Sequence, residues 1–575
     1  MVIFRQSISF LSMIVLVTLL VGAVVVRGQT RDDNWKRCGG NDPDRSIAGC
    51  STLIQSGQET GNNIAKAYYS RGLAYAHKHD FEHAVHDFDQ ALRLNPSFAN
   101  AFYGRALAYD HKGDYDRAIS DYDQALRLNP DLANAFYGRG GAYAYKGDYD
   151  RAIQDYNQAL RLNPNSADAF YGRGWAYEHK SDYDHAIQDF DQAVRQNPHL
   201  AIAWRERGLA YTYKEDYDHA IQDYDEALRL NPSDAIGFYN RGLALAHRGD
   251  YARAIEDYNQ AIQFNPKLAD AFCSRGNAYA HRGDYGHAIQ DFDEALRLNP
   301  NLAIAFSDRA SARKQSGDYD RAIQDYDQAL KLTPNSADAF YGRGWAYARK
   351  GDYDRAIKDY NQALRINPIY SEAFYSRGKV YADKGDHDRA IQDYDRALQI
   401  NPSFTSAFVM RGLAYWHKRD YDHAIQDYDQ ALRLNPDSAD AFYNRALAFE
   451  YKGDYDRVIT DSDQALRLKP SDADAFVMRG LAYAHKADYD RAILDYDQAI
   501  RLNANLTNAF HDRSLAYAHK GDRLRAIADH GRFLWLKYGI LGMTVRLCLL
   551  IVAIAVTVFL ISRRLREGPV RGQQS

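Results

Sequence analysis

From Ala65 to Leu506, small, aromatic and polar residues return in one order every 34 residues. The stretch from Ala99 to Leu132 serves as the type. Phe102, Ala106 and Tyr109 fall at three- and four-residue spacing, which puts them on one face of a helix. Lys112-Gly113-Asp114 then interrupts the spacing. Gly113 suits the left-handed conformation that ends a helix, and Asp114 suits the N-cap of the next. Ala118, Tyr122, Ala125 and Leu126 form the apolar stripe of a second helix. That helix stops at Asn129-Pro130, because proline has no N–H to continue it. The pattern predicts an all-α chain of helical hairpins joined by short turns.

Twelve of the 14 prolines keep this register: Pro96, Pro130, Pro164, Pro198, Pro232, Pro266, Pro300, Pro334, Pro368, Pro402, Pro436 and Pro470. Ala504 holds the next rung without the ring, and Pro43 and Pro569 lie outside the array. A period sustained this long marks a repeat array, not the three or four domains that 575 residues would otherwise suggest.

Composition narrows the classes further. Hydrophobic residues at 46% and charged residues at 26% exclude a disordered chain. A net charge of −4 and a pI near 6.6 argue against a nucleic-acid partner. Four cysteines exclude a disulfide-dense scaffold. A mean hydropathy of −0.57 excludes a polytopic membrane protein but allows one or two spans. The 45 tyrosines follow from the repeat, several positions of which call for one.

Numbered from Ala65, Ala99 and so on, each unit favours an aromatic at position 4, a small residue at 8 and Tyr at 11. Ala at 20, an aromatic at 24, Ala at 27 and Pro at 32 complete the pattern. The second unit supplies Phe102, Ala106, Tyr109, Ala118, Tyr122, Ala125 and Pro130. This closely resembles the tetratricopeptide repeat (TPR), over about four-fifths of the chain. Thirteen full units precede a degenerate fourteenth, which keeps Phe510, Tyr517 and Ala526 but carries His530 in place of the aromatic; the array as a whole is assigned to 65–540. The resemblance implies a right-handed superhelical solenoid whose first helices line the concave side. Arg313 replaces the expected tyrosine in the eighth unit. In the twelfth, Val458 and Ser462 replace the alanine and the aromatic, so that unit is expected to be the weakest internal link or a bend.

Position 7 is arginine and position 23 aspartate in every unit, from Arg71 and Asp87 to Arg513 and Asp529. The two positions lie on facing surfaces of a hairpin. An Arg–Asp clamp within or between units is therefore expected in preference to a ligand-binding arginine, because a half-buried guanidinium needs a fork-matched carboxylate.

By the resemblance, positions 2, 5, 9, 12 and 13 face a partner. Position 5 supplies Tyr103, Tyr137, Tyr171, Tyr239, Tyr341 and Tyr375, and position 13 supplies His179, His247 and His417. Trp175, Trp345 and Trp416 add larger rings. Such a surface suits an extended protein or peptide ligand, since rings give contact area at low entropic cost. The other reading is that duplication copied these residues along with the core. Shared metal binding by the histidines is disfavoured, because successive rungs stand about 10 Å apart. Their joint titration would instead make the face positive near the ordinary imidazole pKa. A chaperone-type carboxylate clamp is disfavoured, with no lysine at position 5 and only Asn277 at position 9.

Arg5 followed by an uncharged run from Gln6 to Val26 reads residues 1–28 as a signal peptide or signal anchor, with cleavage expected before Gln29. Residues 29–64 are expected to form an N-terminal cap. Trp35 and Cys38 lie on a short first segment, and Ile47, Cys50, Leu53 and Ile54 on a second. A Cys38–Cys50 disulfide would tie them, two independent thiols being the alternative. Residues 541–562 are long enough to span a membrane if Arg546 snorkels, though a buried cap helix is the alternative. Arg563, Arg564, Arg566 and Arg571 in the basic tail, 563–575, place that tail in the cytoplasm and the repeats outside, in the periplasm of a Gram-negative cell.

No phosphate loop, zinc-protease helix, nucleophile elbow or calcium loop occurs, and the flanks are too short for a conventional catalytic domain. No enzyme activity, cofactor or metal is expected. The sequence reads as a membrane-anchored, extracytoplasmic scaffold for a protein or peptide partner. A glycan- or peptidoglycan-binding envelope protein and a regulatory subunit of an envelope enzyme are the alternatives, and the oligomeric state is left open.

Overall fold

A computed structural model describes residues 30–538. The stretches expected to be a signal segment, a membrane helix (541–562) and a basic tail lie outside the described residues. Among the described residues no helix is long and apolar enough to cross a membrane. The chain divides into two compact bodies at Leu298 and Asn299, and each is an all-helical solenoid of hairpins.

The first body opens with α1 (Arg31–Cys38) and α2 (Pro43–Gln55). The first repeat follows as α3 (Asn62–His77) and α4 (Phe81–Leu94), and the second as α5 (Ala99–His111) and α6 (Tyr115–Leu128). The second body carries the same alternation to Thr507–His519 and a last helical stretch over 523–538.

Each hairpin forms for local reasons. Gly113 takes φ +76°, which reverses the chain without a Cβ clash. Asp114 then accepts a 3.3 Å hydrogen bond from the Arg117 N–H and caps α6. At the far end the Asn129 N–H donates to the Ala125 carbonyl at 2.8 Å, and Pro130 ends the ladder.

The ring at position 24 sets the spacing of three helices. Phe88 is fully buried, and a Cβ added at either Gly72 of α3 or Gly104 of α5 would come within 2.8 Å of its ring. The glycines let two first helices close on one ring, whose burial contributes on the order of 2 kcal/mol. The next such ring, Tyr122, packs with Ala106, Ala118, Leu126 and, from the following repeat, Ala135. In the twelfth repeat Ser462 supplies no ring. The core there is built from Val458 and Phe449 with Met478 from the following repeat, all buried. The Ser462 hydroxyl is left without a hydrogen-bond partner.

The cap is a shortened hairpin. Cys38 and Cys50, both buried, are bonded across α1 and α2 with Cα atoms 4.6 Å apart. Leu53 and Ala67 join them in one apolar cluster that carries the cap onto α3. Glu59 closes the corner, accepting from Arg31 Nε at 2.6 Å and Trp35 Nε1 at 2.9 Å. Those bonds, Arg31 first, hold its carboxyl down at about 2.

Candidate functional site: the first-helix face

The position-7 arginines bind forward and back. In the ninth repeat Arg343 donates through Nε and Nη2 to both oxygens of Asp359, at 2.8 and 2.7 Å, within the hairpin. Its Nη1 reaches Asp327 of the preceding repeat at 2.5 Å, and its guanidinium lies over the Phe340 ring. The same three contacts recur at Arg241, to Asp257, Asp225 and the Phe238 ring. For Arg173 of the fourth repeat, Asn157 of the third takes the backward bond. Burial alone would favour loss of the Arg241 charge, but the hydrogen bonds to Asp257 outweigh it and raise the pKa. The clamp is therefore both within and between repeats. Arg313, the departure in the eighth repeat, adds a second guanidinium to Asp325 at 2.6 Å, beside Arg309.

A second ladder runs over the turns. Lys384 bonds Asp354 at 2.6 Å, Arg248 bonds Asp218 at 2.9 Å, and Lys112 pairs with Glu82, each joining neighbouring repeats. These pairs are exposed and individually contribute little.

The position-5 tyrosines form a row, each ring tilted against the position-24 ring of its own repeat. Tyr103 meets Tyr122, Tyr137 meets Tyr156, Tyr171 meets Phe190 and Tyr239 meets Tyr258. Tyr341 meets Tyr360, and Tyr375 meets Tyr394. All are half-buried except Tyr137, which is 39% exposed. Burial pushes the Tyr137 hydroxyl up to about 12, so these are neutral hydrogen-bonding groups at physiological pH.

The position-13 residues are stacked between repeats. His247 lies on Tyr217 with ring centroids 5.3 Å apart, and His417 lies on His387 at 4.7 Å. Burial, then the neighbouring His387, lowers the pKa of His417. His179 packs on Tyr149 at 5.4 Å and on Trp175 at 3.8 Å. Among the described residues no three His, Cys, Asp or Glu side chains gather as metal ligands would.

The tryptophans stand in three different settings. Trp175 is surrounded by Tyr145, Tyr149 and His179. Trp345 carries Lys314 at 5.1 Å and Arg349 at 5.5 Å over its ring, with Tyr319 at its edge. Trp416 meets Tyr451 and His417, and its indole N–H is buried without a partner.

One charged cluster interrupts the tyrosine row. In the fifth repeat Arg205 stands at position 5, bonded to Glu206 at 2.7 Å and to Asp234 at 3.0 Å. Glu178, one repeat earlier, has a buried Oε2 with no hydrogen-bond partner. Burial, reinforced by the Glu206 charge against the pull of Arg205, pushes its carboxyl up to about 8. Position 12 is alanine in many units and glutamate in two, so the signal for Glu178 was its rarity there, one repeat before the single arginine at position 5.

A family model for the tetratricopeptide repeat matches residues 69–133, 137–201, 205–269, 307–368, 351–403 and 451–506. Two further repeat models match 269–302 and 417–453, the second described as a TPR repeat. No curated protein matches the chain. Among solved structures, MamA is 29% identical, covering 28% of this chain and 94% of its own at a TM-score of 0.27. YrrB, described as a TPR protein with an unusual peptide-binding site, is 26% identical, with 32% and 95% covered at 0.28. Yeast Tom70 is 20% identical, with 74% and 96% covered at 0.35.

Proposed function

Because the chain belongs to the tetratricopeptide repeat family, whose repeats are suited to protein–protein interaction, we propose that it is a non-catalytic scaffold, anchored in a membrane, that holds a protein or peptide partner along its first helices on the extracytoplasmic side. The observation that carries this reading is the contrast between two surfaces. The exposed charges over the turns are paired off between repeats. The first helices instead present half-buried tyrosine and tryptophan rings whose outer edges meet solvent. Rings fixed by packing lose little entropy when a ligand covers them.

Anchoring is read from the uncharged runs at 6–26 and 547–562 and the arginines that follow the second. The Cys38–Cys50 bond fits an oxidising compartment. The superhelical groove is the family expectation into which the partner would lie.

A photo-crosslinking amino acid at Tyr171 or Tyr341 of the full chain, in its own membrane, tests the partner class. Capture of one polypeptide supports the proposal, whereas capture of glycan strands overturns it. Topology is tested with a membrane-impermeant maleimide, which should label Lys112→Cys but not Gln573→Cys in intact cells.

A further inference from the structure

Between the first helices of the thirteenth and fourteenth repeats lies a pocket of about 190 Å³. It is lined by Leu481 and Leu515, by Tyr496 and Asp512, and by His485 and His519. That volume suits one amino-acid side chain and falls below the range of drug-sized or cofactor sites. One polar group in it is buried without a partner among the described residues, and a second is half-buried without an ion pair. Tyr496 is fully buried and its hydroxyl makes no hydrogen bond. Asp512 forms no ion pair among the described residues, and its pKa is raised by burial against the pull of His511 and His485.

The histidines do not fill the gap. His519 is stacked flat on Tyr489 at 5.0 Å and His485 on Tyr455 at 4.4 Å, and among the described residues no nitrogen of either ring bonds Asp512 or Tyr496. Tyr122, Tyr394 and Tyr428, in the same register, also have buried hydroxyls without a partner, whereas Tyr224 bonds Thr212 at 3.2 Å; what sets Tyr496 apart is the carboxyl and the pocket beside it. Leaving the buried hydroxyl unpaired beside a partly desolvated carboxyl is unfavourable.

We propose that this pocket is a subsite for a lysine side chain of the bound polypeptide, its ammonium bonding Asp512 and Tyr496 and its methylene stem lying between Leu481 and Leu515. The inference rests on the scaffold reading above. Charge complementarity chooses the occupant. An anion would meet the Asp512 carboxylate, and an apolar side chain would leave both polar groups unsatisfied. An ammonium brings three compact donors, whereas a guanidinium brings five in a rigid fork and finds too few acceptors here. The stem is the part of lysine that apolar walls accommodate.

The test uses the full chain with a benzophenone amino acid at Ala518, one helical turn beyond Leu515 on the same helix. The probes are biotinylated Ser/Ala dodecapeptides carrying one central Lys, Arg, norleucine or Glu. Photocapture of the Lys peptide should exceed that of the norleucine peptide by about tenfold, with Arg between them and Glu lowest. Asp512→Asn should reduce Lys capture to the norleucine level, while Asp512→Glu retains most of it. Tyr496→Phe should lower Lys capture severalfold and leave norleucine capture unchanged.

Equal capture of Lys and norleucine, preference for Arg or Glu, or an unaltered Lys preference in Asp512→Asn would each overturn the proposal. Capture at residues 171 or 341 with none at 518 removes the pocket but keeps the scaffold reading. Capture at none of the three removes both.

Discussion

Arg343 holds three groups at once, two oxygens of Asp359 and one of Asp327, and no other side chain has that reach and shape. Arg343→Lys keeps the charge but loses the fork, so it should lower stability by about 1–3 kcal/mol in urea unfolding. Arg343→Ala strands a buried Asp359 and should lower it by about 3–5 kcal/mol. Equal losses for the two variants would contradict a fork-based clamp. The pairing of positions 7 and 23 was legible because neither residue varies in any repeat. The backward bond was not, because its acceptor alternates between Asp123 and Asn157 and reads as ordinary solvated surface. Glu178 works in the opposite sense. The folded state keeps its proton up to about 8, while the unfolded chain releases it near 4.3. Folded Glu178 thus opposes stability increasingly as pH rises through that window. Glu178→Gln, neutral throughout, should match the wild-type Tm at pH 4 and exceed it by about 2–5 °C at pH 8.5. A Tm difference that stays constant across the window would show that Glu178 titrates normally.

At the scale of the hairpin, the turn between the two helices needs a left-handed residue. Glycine supplies it in most repeats, as Gly351 does with φ +78°. His79, Ser181, Glu215, Arg419 and Ala487 adopt the same conformation at φ 58–63°, where a Cβ is strained. Ala487→Gly should therefore raise stability by about 0.5–1 kcal/mol, and Gly351→Ala should lower it by about 1–2 kcal/mol. Local amide exchange around each turn would report both, and a loss on Ala487→Gly would refute the strain. The turn was readable from sequence, since Gly-Asp recurs between two periodic stripes. The stacking that joins hairpins was only half readable. The histidines at position 13 form a visible row, but their partners sit 30 residues earlier, as Tyr217 does for His247, across a repeat boundary. Tyrosine and histidine also exchange in both slots, as in Tyr421–Tyr451 and His387–His417. A flat ring serves either place, so residue identity hid the contact.

For the molecule as a whole, a solenoid gives each repeat only its neighbours to lean on, and the first repeat has none before it. The cap stands in for one. Ser51 of α2 takes the backward bond of Arg71 at 2.9 Å, where an aspartate or asparagine of a preceding repeat serves later arginines. Asp44 takes Lys78 at 2.5 Å, as Asp354 takes Lys384 in the array. Sequence showed the cysteines and the helical spacing of the cap, but not that Glu59, Ser51 and Asp44 complete it, because none belongs to the repeat register. The cap is short, and its Cys38–Cys50 bond closes a loop of 12 residues, which contributes about 3 kcal/mol through the unfolded state. Cys38→Ser with Cys50→Ser should therefore unfasten α1 and α2, leaving Arg71 and the Leu53–Ala67 contact unsupported. Because stability passes only from neighbour to neighbour, the loss should fade along the chain. Amide exchange should accelerate about a hundredfold over residues 31–77, by less over 99–128, and not at all beyond the fourth repeat. Acceleration spread evenly to Leu298 would mean that the first body unfolds as one cooperative block, and unchanged exchange in Asn62–His77 would mean that the cap does not hold the first repeat.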